Sequence, residues 1–335
     1  MPHVRTISTP LGSEDAILAR IASHFPNTGE EVLLGRGDDC AVLRAGSPLC
    51  ISTDLFMEDV HFRRGYFSPQ DIGWKALAVN LSDLAACGAR PSGFTVGLSL
   101  PPDADMELVD GLCEGMARLA EQASAPLVGG DLSRADRLHL CITVFGRAAA
   151  PLLRGAALPG DAVFLVGEIG LARTGLQLLE EQGRSAIADW PSPCAAHLHP
   201  VPRLPEGLIL AGLAAEWHPE KPEQSRLGLM DLSDGLARDL PRLLGSSGAE
   251  LRLPPPHPSI IRLMRERGET DPEQAARRQA LQGGEDYALL GTCPSDRLEE
   301  ILTALPEARP LGFVTDDDAI RMDGKPVCGG FDHFG

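Results

Sequence analysis

Carboxylates recur in this sequence where apolar runs end. Asp38 and Asp39 stand in GRGDDCAVL, Asp54 in ISTDLF, Asp131 in LVGGDLSR, and Asp231 and Asp234 in LMDLSDGLARDL, each at an expected strand or turn end. Any one of them reads first as a turn former. At 229–240 a short apolar run hands over to a helical pattern, and Ser233 or Asp234 is expected to cap that helix by accepting from its first free N–H groups. One side chain is enough for a cap, so the second carboxylate is surplus to structure. Asp83 is different. It lies within the apolar helical pattern DIGWKALAVNLSDLAACG, with Val79, Asn80, Ala86 and Cys87 as helical neighbours and no Lys or Arg among them. Burying such a carboxylate is expensive without a cation or hydrogen-bond donors.

Convergence of these groups on one cleft would set strong repulsion against folding. Two unit charges about 4 Å apart repel by about 4 kcal/mol at an effective dielectric of about 20, so divalent cations become obligatory. A ligand set of oxygens without His or Cys points to magnesium or manganese rather than zinc, and such sites commonly hold nucleotide phosphates. The pattern therefore predicts a metal-nucleotide site. Other phosphate-binding solutions are missing: there is no G-x-x-x-x-G-K-[ST] loop, and VGEIGLARTG at 166–175 lacks the G-x-G-x-x-G spacing and reads as a strand–turn–helix junction. Glu285 and Asp286 in LQGGEDYALL follow paired glycines and lead towards a strand, and the glycines imply close backbone approach to another group, a ligand being one candidate. The acidic run 316–318 reads as a solvated turn, and His61 and His333, taken alone, as structural histidines. No Ser/His/Asp or Cys/His spacing supports nucleophilic catalysis.

The elements that must position these residues are mixed α and β. A helix is expected from about 13 to 24, then strands at CAVLRAG, PLCISTDLF, GFTVGLSLP and LHLCITVFGR, separated by helices near 70–87 and 105–123. AAAPLLRGAALPGD at 148–161 carries paired breakers between two apolar runs, which divides the chain into domains 1–150 and 151–335. The second part reads as helices near 171–183, 204–217, 235–244, 258–267 and 273–282, with strands near 228, 249, 286 and 310. Its Pro-rich stretches WPSPCAAHLHPVPRLPEG and LPPPHPS read as ordered connections. With 335 residues, 43% of them hydrophobic, there is material for two cores. The formal net charge of −17 argues against nucleic-acid or anionic-membrane binding. The eight cysteines form no C-x-x-C pair, and no apolar run approaches a membrane span, so a cytoplasmic protein with reduced thiols is expected.

Taken together, GRGDDCAVL, ISTDLF, EDVHF, GWKALAVNLSDLAACGARP, VGGDLSR, MDLSDGLARDL, GGEDYALL and GGFDHF resemble the thiamine-monophosphate kinase family, in that family's order and across nearly the whole chain. The resemblance implies a two-domain α/β (mixed α+β) fold of the aminoimidazole ribonucleotide synthetase-like type. It also implies a homodimer whose N-terminal sheets pair into a barrel, each with a C-terminal α/β domain beside it. ATP, as co-substrate, and several Mg²⁺ ions are implied, with thiamine monophosphate as the acceptor. By the same resemblance Asp39, Ser52, Thr53, Asp54, Asp83, Asp131, Asp231 and Asp234 match magnesium positions, and Gly130, Asp131, Arg154 and Ser233 match nucleotide contacts. His61, Glu285 and Phe331 match thiamine-phosphate contacts. No general base is implied. The chain departs from the family at HLHPVPR, where His199 replaces an arginine, at Cys113, where some members carry tyrosine, and at Phe331, where Tyr or Trp is commoner; these bear on the adenine contact and on substrate affinity. Two other readings remain at this point: another ATP-using member of the superfamily, resembling aminoimidazole ribonucleotide synthetase, and a non-catalytic metal or nucleotide sensor.

Overall fold

The computed structural model describes residues 14–25, 29, 32–34, 42–43, 46, 48–155, 157–221 and 224–327. In chain order the elements begin with α1 (Glu14–His24), β1 (Val32–Leu34), β2 (Val42–Leu43), β3 (Leu49–Met57), α2 (Pro69–Ala86), β4 (Arg90–Leu100), α3 (Met106–Ala123), β5 (Leu127–Arg134) and β6 (His139–Arg147). There follow β7 (Ala162–Val166), α4 (Leu171–Gln182), α5 (Ala186–Asp189), α6 (Pro191–Leu198), α7 (Leu204–Trp217), β8 (Gly228–Asp231), α8 (Leu236–Leu244) and β9 (Gly248–Leu251). The last are α9 (Pro258–Glu266), α10 (Pro272–Gln282), β10 (Leu289–Cys293), α11 (Leu298–Ala304), β11 (Ala308–Thr315), β12 (Ile320–Met322) and β13 (Lys325–Pro326). Two compact units result: Met1–Gly46 with Ile51–Asn80 and Pro91–Gly146, and Ser47–Cys50 with Leu81–Arg90 and Arg147–Gly335. No described helix is long and apolar enough to cross a membrane.

The first unit is built on a four-stranded sheet of order β3-β6-β4-β5, so β3 and β5 are its edges. Strand alternation sends Phe94, Val96, Leu98 and Leu100 of β4, and Leu140, Ile142 and Val144 of β6, to a buried face. The opposite face carries small residues, among them Thr95, Gly97, Ser99, Cys141 and Thr143. Helix α3 is amphipathic and begins where the Asp105 carboxylate accepts from the Leu108 N–H at 2.9 Å. It crosses α2 backbone to backbone: a Cβ on Gly115 would sit 2.0 Å from the Gln70 carbonyl oxygen, and one on Gly73 2.0 Å from that of Leu112.

The second unit is built on a seven-stranded sheet of order β13-β12-β9-β11-β7-β10-β8. Its pairings are antiparallel apart from β12 with β9. The inner strand β7 is buried at every residue, as its unbroken apolar run requires. A core of Val163, Leu165, Met230, Leu251, Leu290 and Leu311 is joined by Leu236, Leu240 and Leu243 from the apolar stripe of α8.

Four local expectations are corrected. Asp54 lies within β3 and Asp131 within β5, rather than at strand ends. Both are exposed on edge strands, where a carboxylate keeps its hydration. The strand placed near 286 starts at Leu289, because Glu285 and Tyr287 take left-handed φ values of +66° and +49°. The stretch read as a connection after Trp190 contains α6, with Pro191 in its first turn, where a missing N–H costs nothing.

Candidate functional site

In the first unit β3 and β5 carry the candidate residues. The Asp54 N–H donates to Asn80 Oδ1 at 3.0 Å, and the buried Asn80 amide in turn donates to the Ala76 carbonyl of α2 at 3.0 Å. Asn80 thereby sets the backbone of Asp54, a role not read from the sequence, where it was only a neighbour of Asp83. The Thr53 hydroxyl donates to the Ile142 carbonyl at 3.0 Å and lies 2.9 Å from the Thr143 hydroxyl. Ser52 lies between them and Cys50 on the same strand. Gly130 and Asp131 are exposed on β5, opposite Val96 and Gly97 of β4. The sheet order separates Asp54 from Asp131 by two intervening strands. His61 follows β3, and its Nδ1 accepts from the Met57 N–H at 3.0 Å while its ring stacks on Phe56. In the neutral ring the proton then sits on Nε2.

In the second unit the structure does bring carboxylates together. Asp231 ends the edge strand β8 and is 5% exposed. Burial pushes its carboxyl up to about 7, and the charge of Asp83, on the last turn of α2, pushes in the same direction. Arg154, exposed ahead of β7, offsets only part of this. The half-buried Asp83 thus has a second acid near enough to feel its charge, an arrangement that a divalent cation would relieve. Among the described residues no group of three or more His, Cys, Asp or Glu is gathered as a metal cluster.

The cap expected of Ser233 or Asp234 is not made. The N-cap of α8 is Gly235, without a side-chain cap bond. Instead the fully buried Asp239, inside α8, reaches back and accepts from the N–H groups of Ser233 and Asp234 at 3.0 and 2.9 Å. Arg242 donates to Asp239 at 2.8 Å and to Asp234 at 2.7 Å. Burial raises the Asp239 carboxyl, against the pull of Arg242 and these N–H groups. Its signal in the sequence was an acid on the leucine stripe of α8, three residues after Leu236 and next to Leu240.

Past the ends of β8 and β10 the pairing continues as loop bonds. Leu232 N–H donates to the Ala288 carbonyl, Tyr287 N–H to that of Leu232, and Glu285 N–H to that of Ser233, at 2.9, 2.8 and 2.7 Å. Ser233 and Glu285 are therefore held on one double-stranded loop. The neighbouring Asp286 carboxylate accepts from Gly170 and Ala172 at the N-terminus of α4, at 2.8 and 3.3 Å, and burial pushes its carboxyl up to about 8. Glu285 itself meets His197 of α6, Nδ1 to Oε2 at 3.1 Å. Neither the Asp286 cap nor this pair was read from the sequence, because both partners are more than eighty residues away. Cys113 is buried within α3, with its thiol pushed up to about 12 by desolvation, and His199 is exposed at the end of α6. Asp38, Asp39, Phe331 and His333 lie outside the described residues.

Residues 37–148 match the family model of the AIR synthase related protein, N-terminal domain. A thiamine-monophosphate kinase of Synechococcus elongatus is 34% identical over 315 residues, covering 89% of this chain and 91% of that protein. The crystal structure of thiamine-monophosphate kinase from Stenotrophomonas maltophilia has 33% identity and a TM-score of 0.73, over 93% of this chain and 96% of that one. A solved complex described as AaThiL with AMPPCP and TMP has 27% identity and a TM-score of 0.71, over 96% and 97% of the two chains.

Proposed function

The chain belongs to the thiamine-monophosphate kinase family, and from that premise we propose the working parts of its site. It is an ATP-dependent kinase that phosphorylates thiamine monophosphate to thiamine diphosphate and releases ADP. The observation that carries this is likeness along nearly the whole of a thiamine-monophosphate kinase, at 34% identity, rather than over one domain.

The acceptor is itself a phosphate, with a second pKa of about 6, so it is largely deprotonated at neutral pH and needs no general base. Catalysis is positioning and charge neutralisation. Gly130, Asp131, Arg154 and Ser233 hold the nucleotide. His61, Glu285 and Phe331 hold thiamine monophosphate, with His61 presenting Nε2–H because the Met57 N–H occupies Nδ1. Asp39, Ser52, Thr53, Asp54, Asp83, Asp131, Asp231 and Asp234 are the magnesium positions. An oxygen-only donor set with the buried Asp231 beside the charge of Asp83 fits that ion. Mg²⁺, when bound, neutralises the charge between two polyanions and of a loose transition state.

Residues 1–150 form the ATP-binding and dimerisation domain and 151–335 the α/β domain of a cytoplasmic homodimer. The dimer is supported by the uncovered face of β3, where Leu49, Ile51 and Leu55 are 47%, 62% and 58% exposed. The test is incubation with ATP, Mg²⁺ and thiamine monophosphate, with products resolved as thiochrome derivatives. Equal yields of thiamine diphosphate and ADP are expected. ADP without thiamine diphosphate, or ATP binding without turnover, would overturn the assignment.

A further inference from the structure

We propose that His197 is a positioning residue for recognition of the thiamine moiety, acting through Glu285. His197 is 1% exposed on α6, and its Nδ1 lies 3.1 Å from Glu285 Oε2, whereas Glu285 is 27% exposed. The pair thus runs from the interior to the surface: the histidine is hidden and the carboxylate it holds is accessible. A buried imidazole is costly without a partner, and this ring spends a bond on a residue of a distant loop.

The backbone under Glu285 is already defined from two sides. Its own N–H donates to the Ser233 carbonyl, and the next residue, Asp286, anchors on the α4 N-terminus. Its left-handed φ of +66° is one that a glutamate does not adopt for local reasons. Three torsions of the glutamate side chain remain, and the His197 bond restricts them. Helix α6 is held at the required depth by Gly175 of α4, where a Cβ would stand 2.0 Å from the Pro193 carbonyl oxygen and 3.0 Å from the His197 Cβ. A carboxylate aimed in advance suits the thiazolium cation by charge and the aminopyrimidine by accepting from its amine. Ordering it during folding removes that cost from binding.

The inference rests on reading Glu285 as a thiamine-side contact, and the experiment separates the two. Steady-state constants for both substrates and thermal midpoints are measured for His197→Ala, His197→Asn, Glu285→Gln and the His197→Ala, Glu285→Gln double variant. His197→Ala is expected to raise KM for thiamine monophosphate by about 3- to 10-fold, the range for one immobilised flexible side chain, with KM for ATP unchanged. His197→Asn, whose amide N–H stands where Nδ1–H was, restores the parental value. In the Glu285→Gln background His197→Ala adds less than it does alone. A Glu285→Gln variant with the parental KM for thiamine monophosphate defeats the reading of Glu285 itself. A raised KM in Glu285→Gln with none in His197→Ala defeats only the role of His197, as does a fall in thermal midpoint with both KM values rising together. If His197→Ala does not fold, His197→Gln, whose N–H lies one bond further out, carries the same comparison.

Discussion

The buried carboxyl of Asp231 works against folding as it ionises, and the sign of this effect can be tested. Burial and the charge of Asp83 push this carboxyl up to about 7 in the folded chain, from an ordinary value of 3.8. Between those values the folded state holds a proton that the unfolded state has lost, so stability falls as pH rises through this window and levels off above 7. Each unit of such a shift corresponds to about 1.4 kcal/mol. Asp231→Asn removes the ionisation. Its thermal midpoint in chelator should therefore exceed the parent's by a margin that grows from pH 5 to pH 8. Added Mg²⁺ should raise the parent's midpoint at pH 8 by more than it raises the variant's. Equal responses to Mg²⁺ in both proteins would remove Asp231 from the metal site. The surplus of acids that makes this prediction was legible in DLSDGLARDL. The loop-organising role of Asp239 is less legible: an acid stands out on the leucine stripe of α8, but the N–H groups it holds leave no mark on residue type.

At the scale of the element, the paired loops 231–235 and 283–288 behave as one piece, since three backbone bonds join them. Asp239→Ala would orphan the N–H groups of Ser233 and Asp234 and one bond of Arg242. Each unsatisfied buried group costs about 1–3 kcal/mol, so the urea midpoint should fall clearly. Because Glu285 is bonded to the Ser233 carbonyl, KM for ATP and for thiamine monophosphate should rise together, unlike the one-sided effect expected of His197→Ala. A rise in the ATP constant alone would mean that the loops move independently. Helices with clear periodicity, such as α3 with its Asp105 cap and α8 without a side-chain cap, match the sequence pattern to within a residue or two. Helix α6 was not: prolines at 191 and 193 read as a connection, although a first turn tolerates them. Strand β5 is absent from the strands expected of the sequence, because its edge position leaves Asp131 and Ser133 exposed and breaks the apolar run that marks a strand.

At the scale of the whole molecule, the four-stranded sheet places Asp54 on one edge strand and Asp131 on the other. Three strand spacings of about 4.8 Å put those strands about 14 Å apart, whereas magnesium–oxygen bonds are only about 2.1 Å long. One copy of the sheet therefore does not set both residues on the same ion, while a second copy, in the proposed dimer, would bring new edges beside the first. The exposed residues Ile51 and Leu55 of β3 are the apolar surface available for that pairing. In a two-fold interface each substitution occurs twice. Burying an isoleucine or leucine side chain contributes about 1.5–3 kcal/mol, so loss at two symmetric positions is about 3–6 kcal/mol, about a hundred- to ten-thousand-fold in the dimer dissociation constant. Ile51→Lys adds the cost of a buried charge. That variant is expected to sediment as a monomer at micromolar concentration, to keep its circular dichroism, and to lose specific activity on dilution and regain it on concentration. A monomeric Ile51→Lys protein with parental turnover would show that each chain works alone, and the proposed barrel would then have no part in catalysis.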